Sequence, residues 1–314
     1  MVVLWIMVLL TALATEFVSA MKTEVHTTRN YKEDIESYNL ARAGINLAMA
    51  EILQTAQFHS YNNTWGFIVG KPAEASPLPG ADNKSAGNTG NFKLIQRNDI
   101  PLGAGTISYS IQDENGKINL NAASRDQLIK VLTVSGLEIG ELRDIIADSI
   151  LDWIDKDDDT RLNGAESKYY LSLNPPYRAK NGDFYSVDEL IKVRGVTEEI
   201  LYGSTQAVIG DRPRYLGLDK FFTVQNVNTL NPNTASPQLL SLYFPEEQAQ
   251  QILVDREEKG YSTIAVSTHF KITSTGKINN SQTTHTIVAI IEKIGNDNKS
   301  TLIARYWNDN ATTS

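Results

Sequence analysis

The residues with the clearest capacity for chemistry lie in the run Asp152-Trp153-Ile154-Asp155-Lys156-Asp157-Asp158-Asp159-Thr160-Arg161-Leu162-Asn163-Gly164-Ala165-Glu166. Carboxylates at alternate positions 155, 157 and 159 are expected to converge on one side of a loop. Asp152 stands one helical turn earlier, and Glu166 follows a glycine. Hard divalent cations such as calcium take six to eight oxygen ligands in flexible geometry, which a loop of this kind can supply. Three adjacent aspartates repel one another without a counter-ion, which favours calcium over a merely solvated helix end. The pattern is close in spirit to an EF-hand, but its glycine and glutamate offsets are not those of that loop.

Other chemistry is weakly supported. His26, His59, His269 and His285 are scattered without metal-ligand spacing, and no G-x-S-x-G, phosphate-loop or dinucleotide glycine pattern is present. The chain is therefore read as non-enzymatic. It has no cysteine, so disulfides, thiolate zinc sites and cysteine nucleophiles are excluded. Net charge is −8, and 18 acidic against 11 basic side chains fall between Asp113 and Gly210. Acidity concentrated mid-chain favours a cation over a nucleic-acid backbone, which needs a basic footprint.

The elements that must position the acidic run are legible from periodicity. Residues 1 to about 56 read as one helix, since Ile35, Tyr38, Ala41, Ile45, Ala48 and Ile52 recur at three- and four-residue steps. Its first part, Met1 to Ala20, is apolar and about 30 Å long, the thickness of a bilayer's hydrocarbon core. Glu16 interrupts this run, so Met1–Thr15 is its uncharged part. The segment lacks the basic n-region of a secretory signal and no Pro or Gly follows it until Gly44. It reads as a membrane anchor that doubles as an assembly stem.

Next come Tyr61–Val69, a Gly/Pro/Ser/Asn-rich linker over 70–90, and strand candidates at Asn91–Arg97 and Gly105–Asp113. From Ile118 to about Tyr261 the pattern is helical, in three capped helix–turn–helix segments. Alternation returns at Tyr261–Lys277, Thr283–Lys293 and Leu302–Trp307. The expected domains are a stem (1–20), a sheet domain in two parts (21–117 and 262–314), and a helical domain inserted between them (118–261). Two turns, Ser135-Gly136-Leu137 and Arg194-Gly195-Val196, have the helix-hairpin-helix shape, while Tyr243-Phe244-Pro245 lacks the glycine. DNA-binding hairpins hold a phosphate on their turn amides; here Glu138, Glu141, Glu198 and Glu199 surround the turns and would repel it.

The stem continuing into SYNLARAGINLAMAEI, the acidic SILDWIDKDDDTRLNGAESKYYL, then NPPYRAKNGDFYSVDELIKVRGV and VNTLNPNTASPQLL, resemble the minor pseudopilin K family of type II secretion (general secretion pathway protein K). The resemblance runs nearly the length of the chain and is most specific from the acidic loop to PPYR. It implies an α+β fold: a pilin-like long N-terminal helix packed on a small antiparallel sheet, with a large α-helical domain inserted between strands. It implies calcium in that domain, with Asp155, Asp157, Asp159 and Glu166 as ligands and Asp152 as an additional candidate. It also implies a protein of the bacterial inner membrane, single-pass, with its soluble part in the periplasm. The role implied is to cap the tip of the pseudopilus and help export folded proteins across the outer membrane.

Implied partners are the minor pseudopilins I and J, with H as a further candidate. They would pack along Ile35, Ala41, Ile45 and Ile52 or the extension of that stripe toward the stem. Secreted substrates are possible contacts, and nucleic acid is not expected. The basic leader ending in Gly is absent, which implies either a processed form with Met1 as the N-methylated first residue or a late-called start. Most pseudopilins carry Glu at the fifth mature position to neutralise a neighbour's amino terminus in low dielectric. Trp5 stands there instead, as in subunits with no neighbour above them. The alternatives are a membrane-anchored helix-hairpin-helix protein for DNA binding or uptake, and a minor pilin of a type IV pilus.

Overall fold

A computed structural model describes residues 1–54, 59–60, 68–69, 97–204, 214–259, 262–263, 265, 267–295 and 300–311. The linker over 70–90 and most of the Asn91–Arg97 strand candidate lie outside them. Helix α1 (Val2–Gln54) is a single uninterrupted rod, about 80 Å long at 1.5 Å per residue. Its first three dozen residues are almost entirely exposed, and its first part is long and apolar enough to cross a membrane. Met1 and Trp5 both stand in the open on this stem.

The lower part of α1 packs on a five-stranded antiparallel sheet: β1 (Ile100–Leu102), β2 (Gly105–Asp113), β3 (His269–Ile278), β4 (Thr284–Ile294) and β5 (Thr301–Asn308), in that spatial order. Alternation along the strands puts Ile107, Tyr109 and Ile111 of β2, Phe270 and Ile272 of β3, and Ile287, Ala289 and Ile291 of β4 in one buried layer. Leu40, Ala41, Ile45, Ala48 and Ile52 of α1 complete that layer. Small residues allow the close approach. A Cβ on Gly276 would lie 2.2 Å from the Ser37 carbonyl and 2.5 Å from the Ala41 amide.

This packing corrects one expectation. Ala41, Ile45 and Ile52 are fully buried against the chain's own sheet and cannot form a face for partner subunits. The 3.6-residue stripe is real, but the surface that covers it is internal. Ile35, one turn toward the stem, remains 41 % exposed. The short strand β1 also lacked a sequence signal, because a three-residue run containing Pro101 offers no alternation to read.

Strands β2 and β3 are neighbours in register, Asp113 opposite Phe270, yet the chain leaves the sheet after Asp113 and returns only at His269. The excursion holds α2 (Arg125–Val134), α3 (Glu141–Ile154), α4 (Ser167–Tyr170), α5 (Glu198–Tyr202), α6 (Pro237–Tyr243) and α7 (Glu246–Lys259). A two-residue parallel pairing of Ile118–Asn119 with Phe222–Thr223 ties its two halves. Local chemistry starts these short helices. Ser124 and Gln127 form a capping box at α2, and the Ser236 hydroxyl accepts from the Leu239 amide at α6, with Pro237 in the first turn. The helices share a second core around Leu128, Leu132, Ile146, Ile150, Tyr170, Leu190, Phe221, Phe222 and Leu240. The arrangement is α+β: a helix on an antiparallel sheet, with helices accommodated between two adjacent strands.

Candidate metal centre

Helix α3 positions the acidic run. Ile146, Ala147, Ile150 and Trp153 recur at helical spacing and are buried, which anchors its last turn in the core. Trp153 stacks on Phe184 and meets Tyr170 edge-on, which fixes the rotation of the helix end. Asp152, the next residue back, then points into the loop that follows, and its side chain has no solvent exposure. Asp155 is the C-terminal cap residue of α3. The negative end of the helix dipole thus carries two carboxylates and no basic residue in its last turn, an arrangement that calls for a cation.

The loop from Lys156 to Ala165 turns back and brings Glu166 to the same place. Carboxylate oxygens of Asp152, Asp155 and Glu166 all lie within 4.8 Å of one another. Glycine is needed at 164 because a Cβ there would sit 1.9 Å from Asp152 Oδ2. Arg161 reaches into the group. Its Nη1 donates to Asp152 Oδ1 at 2.6 Å and also to Asp155 Oδ2, and its backbone amide donates to Asp152 Oδ2 at 3.2 Å. Glu166 is 2 % exposed, yet neither of its carboxylate oxygens has a hydrogen-bond partner, and Asp155 Oδ1 has none either. Burial, followed by the charges of Asp152, Asp155, Asp158 and Asp157, pushes the Glu166 carboxyl up to about 7. Burial likewise raises Asp152, against the opposing pull of Arg161.

Two expected ligands are placed differently. Asp157 and Asp159 are exposed and do not join the three-carboxylate group. Asp157 Oδ1 instead accepts from the Asp159 amide at 3.0 Å, and the Asp157 carbonyl accepts from Asn181 Nδ2 at 2.8 Å. Alternate residues share a face only in an extended strand; in this turning loop they do not. The structure also adds residues that the spacing did not reveal. Asp148, one turn before Asp152, is buried and accepts from Arg125 Nε at 2.6 Å and Asn163 Nδ2 at 3.0 Å. Its four-residue offset from Asp152 was the available signal. Arg194 donates to the Gly164 carbonyl at 3.0 Å and lies 4.9 Å over the Tyr169 ring, so it braces the loop from behind.

The first hairpin turn is similarly committed. The Gly136 amide donates to the Thr133 carbonyl and the Leu137 amide to the Leu132 carbonyl, while the Ser135 carbonyl accepts from the Leu216 amide. A Cβ on Gly136 would lie 2.3 Å from the Arg214 carbonyl, so this turn faces another segment of the same chain. The Ser135-Gly136-Leu137 turn is a packing element, and its amides are occupied.

Residues 109–206 match the family model for protein K of the type II secretion system. Over that span the chain is similar to the protein K family of type II secretion systems. It is 29 % identical over 241 residues to type II secretion system protein K of Aeromonas hydrophila, a match covering 67 % of this chain and 69 % of that one. It is 34 % identical over 121 residues to the protein K of Klebsiella pneumoniae, covering 37 % and 34 %. Identity to the putative type II secretion system protein K of Escherichia coli K12 is 24 % over 213 residues, 64 % of this chain and 58 % of that one. The fold is similar to a chain in the crystal structure of the GspK-GspI-GspJ complex from the type 2 secretion system of enterotoxigenic Escherichia coli. That likeness has a TM-score of 0.59 at 15 % identity and covers 92 % of this chain and 100 % of the other. The family match spans the last residues of β2, the acidic loop and both glycine hairpins, the part of the chain that holds the three carboxylates.

Proposed function

We propose that this chain is the minor pseudopilin that ends a periplasmic pseudopilus at its tip, and that it serves the export of folded proteins across the outer membrane. The observation that carries the reading is the insertion of a whole helical domain between adjacent strands β2 and β3 of a stem-and-sheet subunit. A subunit with that bulk beside its stem leaves no room for another stacked above it. Trp5 agrees, since a last subunit has no upper neighbour whose amino terminus a glutamate at that position would neutralise. The apolar start of α1 would anchor the chain in the inner membrane before assembly, with the rest in the periplasm.

The protein similar in fold comes from a complex with GspI and GspJ, and the corresponding minor pseudopilins I and J, with H, are the partners proposed here. With Ala41, Ile45 and Ile52 buried internally, the contact surface on α1 shifts to the exposed stem from Met1 through Ile35. Labelling the helical domain with an antibody on overproduced pseudopili tests the placement. Label at one filament end is expected; label spaced along the shaft would refute it.

The acidic centre is proposed to hold calcium. Its support is Glu166, buried, without a hydrogen-bond partner and directed at Asp152 and Asp155. Three converging carboxylates, two of which keep unpartnered oxygens, suit a hard oxygen-seeking cation. Asp152, Asp155 and Glu166 would hold it; Asp157 and Asp159, which the family resemblance also nominates, would have to turn inward. Bound calcium would supply the positive charge that joins α3, the loop and α4. Calorimetric titration of the chelator-treated protein with calcium tests this, and absence of binding would remove the reading.

A further inference from the structure

We infer that Arg161 is a built-in counter-ion of the acidic centre, which keeps the ion-free loop closed and must withdraw when a divalent cation enters. This rests on the calcium reading of the same centre and concerns its regulation. The geometry behind it is specific. A single nitrogen, Arg161 Nη1, is shared between Asp152 Oδ1 and Asp155 Oδ2, and the Arg161 amide takes Asp152 Oδ2. Three of the six carboxylate oxygens are therefore held by this one residue. The other three, Asp155 Oδ1 and both oxygens of Glu166, have no partner.

The guanidinium reaches only two of the three carboxylates because its planar fork enters from one side. Its side chain is 39 % exposed while that of Asp152 is fully covered, so Arg161 closes the centre on its solvent side. Any cation that uses the Asp152 and Asp155 lone pairs takes positions that Nη1 now occupies, beside a permanent positive charge. The two charges compete for the same oxygens. Arg161 also lies on the loop itself, with Leu162 next to it fully open to solvent. Release of the side chain therefore frees the loop's apex, while Gly164, held by Arg194, stays fixed.

The competition has two opposite consequences for one substitution. Arg161→Gln removes the rival charge and is expected to tighten calcium binding about tenfold, while lowering the melting temperature in chelator. Arg161→Lys keeps a charge but loses the fork and should fall between. In the wild-type full-length protein, calcium should increase modification of Arg161 by phenylglyoxal several-fold, followed by peptide mass spectrometry. Calcium binding of equal or lower affinity in Arg161→Gln, or unchanged Arg161 reactivity, overturns it while the calcium reading stands. If neither protein binds calcium, both fail together.

Discussion

Two buried acidic centres in this chain use the same side-chain type in opposite ways. Asp113, at the point where the chain leaves β2, is 1 % exposed. Its Oδ2 accepts from Asn231 Nδ2 at 2.9 Å, from Thr234 Oγ1 at 2.6 Å and from the Ser267 hydroxyl, and its Oδ1 accepts from the Asn115 amide at 2.9 Å. Those donors come from the start, the far end and the return of the helical excursion. Asn115 extends the clasp, its Oδ1 accepting from the Thr268 and His269 amides. In the other centre Asp152 and Glu166 are as deeply buried, Asp155 is partly exposed, and three oxygens stay unpartnered. A buried carboxylate surrounded by neutral donors is a structural joint, whereas one surrounded by other carboxylates is an incomplete ligand set.

The sharpest way to break this distinction is at the joint. Asp113→Ala strands the Asn231, Thr234 and Ser267 donors in a dry interior and should cost about 3 kcal/mol of stability. Denaturant unfolding measures it, and a loss below about 1 kcal/mol would mean the clasp is incidental. Gly164→Ala comes next. Its Cβ cannot coexist with Asp152 Oδ2 in the present position, so the substitution should cost about 2 kcal/mol and weaken calcium binding. Unchanged affinity by titration would show that Asp152 is not a ligand.

Glu166→Gln tests the other side with the opposite sign. Removing a like charge that has no partner should stabilise the chelator-treated protein by about 1 kcal/mol while abolishing its response to calcium. A destabilised ion-free protein would show that Glu166 serves the fold as Asp113 does. The smallest effect concerns Asp148, a paired acid on the same face of α3. Burial pushes its carboxyl up, but hydrogen bonds from Arg125 and Asn163 pull harder and leave it below the ordinary range. A depressed carboxylate contributes stability above its unfolded value near 4, lost as pH falls through its lower folded value. Arg125→Gln should therefore flatten the acid limb of the stability profile by under about 1 kcal/mol, because the arginine is half exposed. An unaltered limb would mean that Arg125 does not hold the carboxylate.

Much of the fold could be read before any coordinates, because its signals are local. A 3.6-residue stripe gave α1, alternation gave β2 to β5, and Ser and Thr caps marked the helices of the excursion. The candidate centre was legible as a segment but not as a ligand set. Asp155 and Glu166 are eleven positions apart, and only the course of the loop, held by Arg194 on Gly164 and by the space Gly164 leaves for Asp152, brings them together. Asp157 and Asp159 sit between them in sequence, yet both are exposed and outside the group. Arg161 was visible in the run, yet nothing in its spacing indicated that its guanidinium would stand between Asp152 and Asp155.

By itself the sequence determined the stem, the strand pattern, the helical middle and the acidity of one loop, since each follows from composition and period along the chain. The tertiary structure decided three further points. Packing on β2, β3 and β4 turned Ala41, Ile45 and Ile52 into core. Folding of the excursion brought Asn231, Thr234 and Ser267 onto Asp113. Loop closure chose Asp152, Asp155 and Glu166 from a longer row of acids. The physical reason is common to all three: burial and hydrogen-bond partnership are properties of surfaces that meet, and the meeting residues are far apart in the chain.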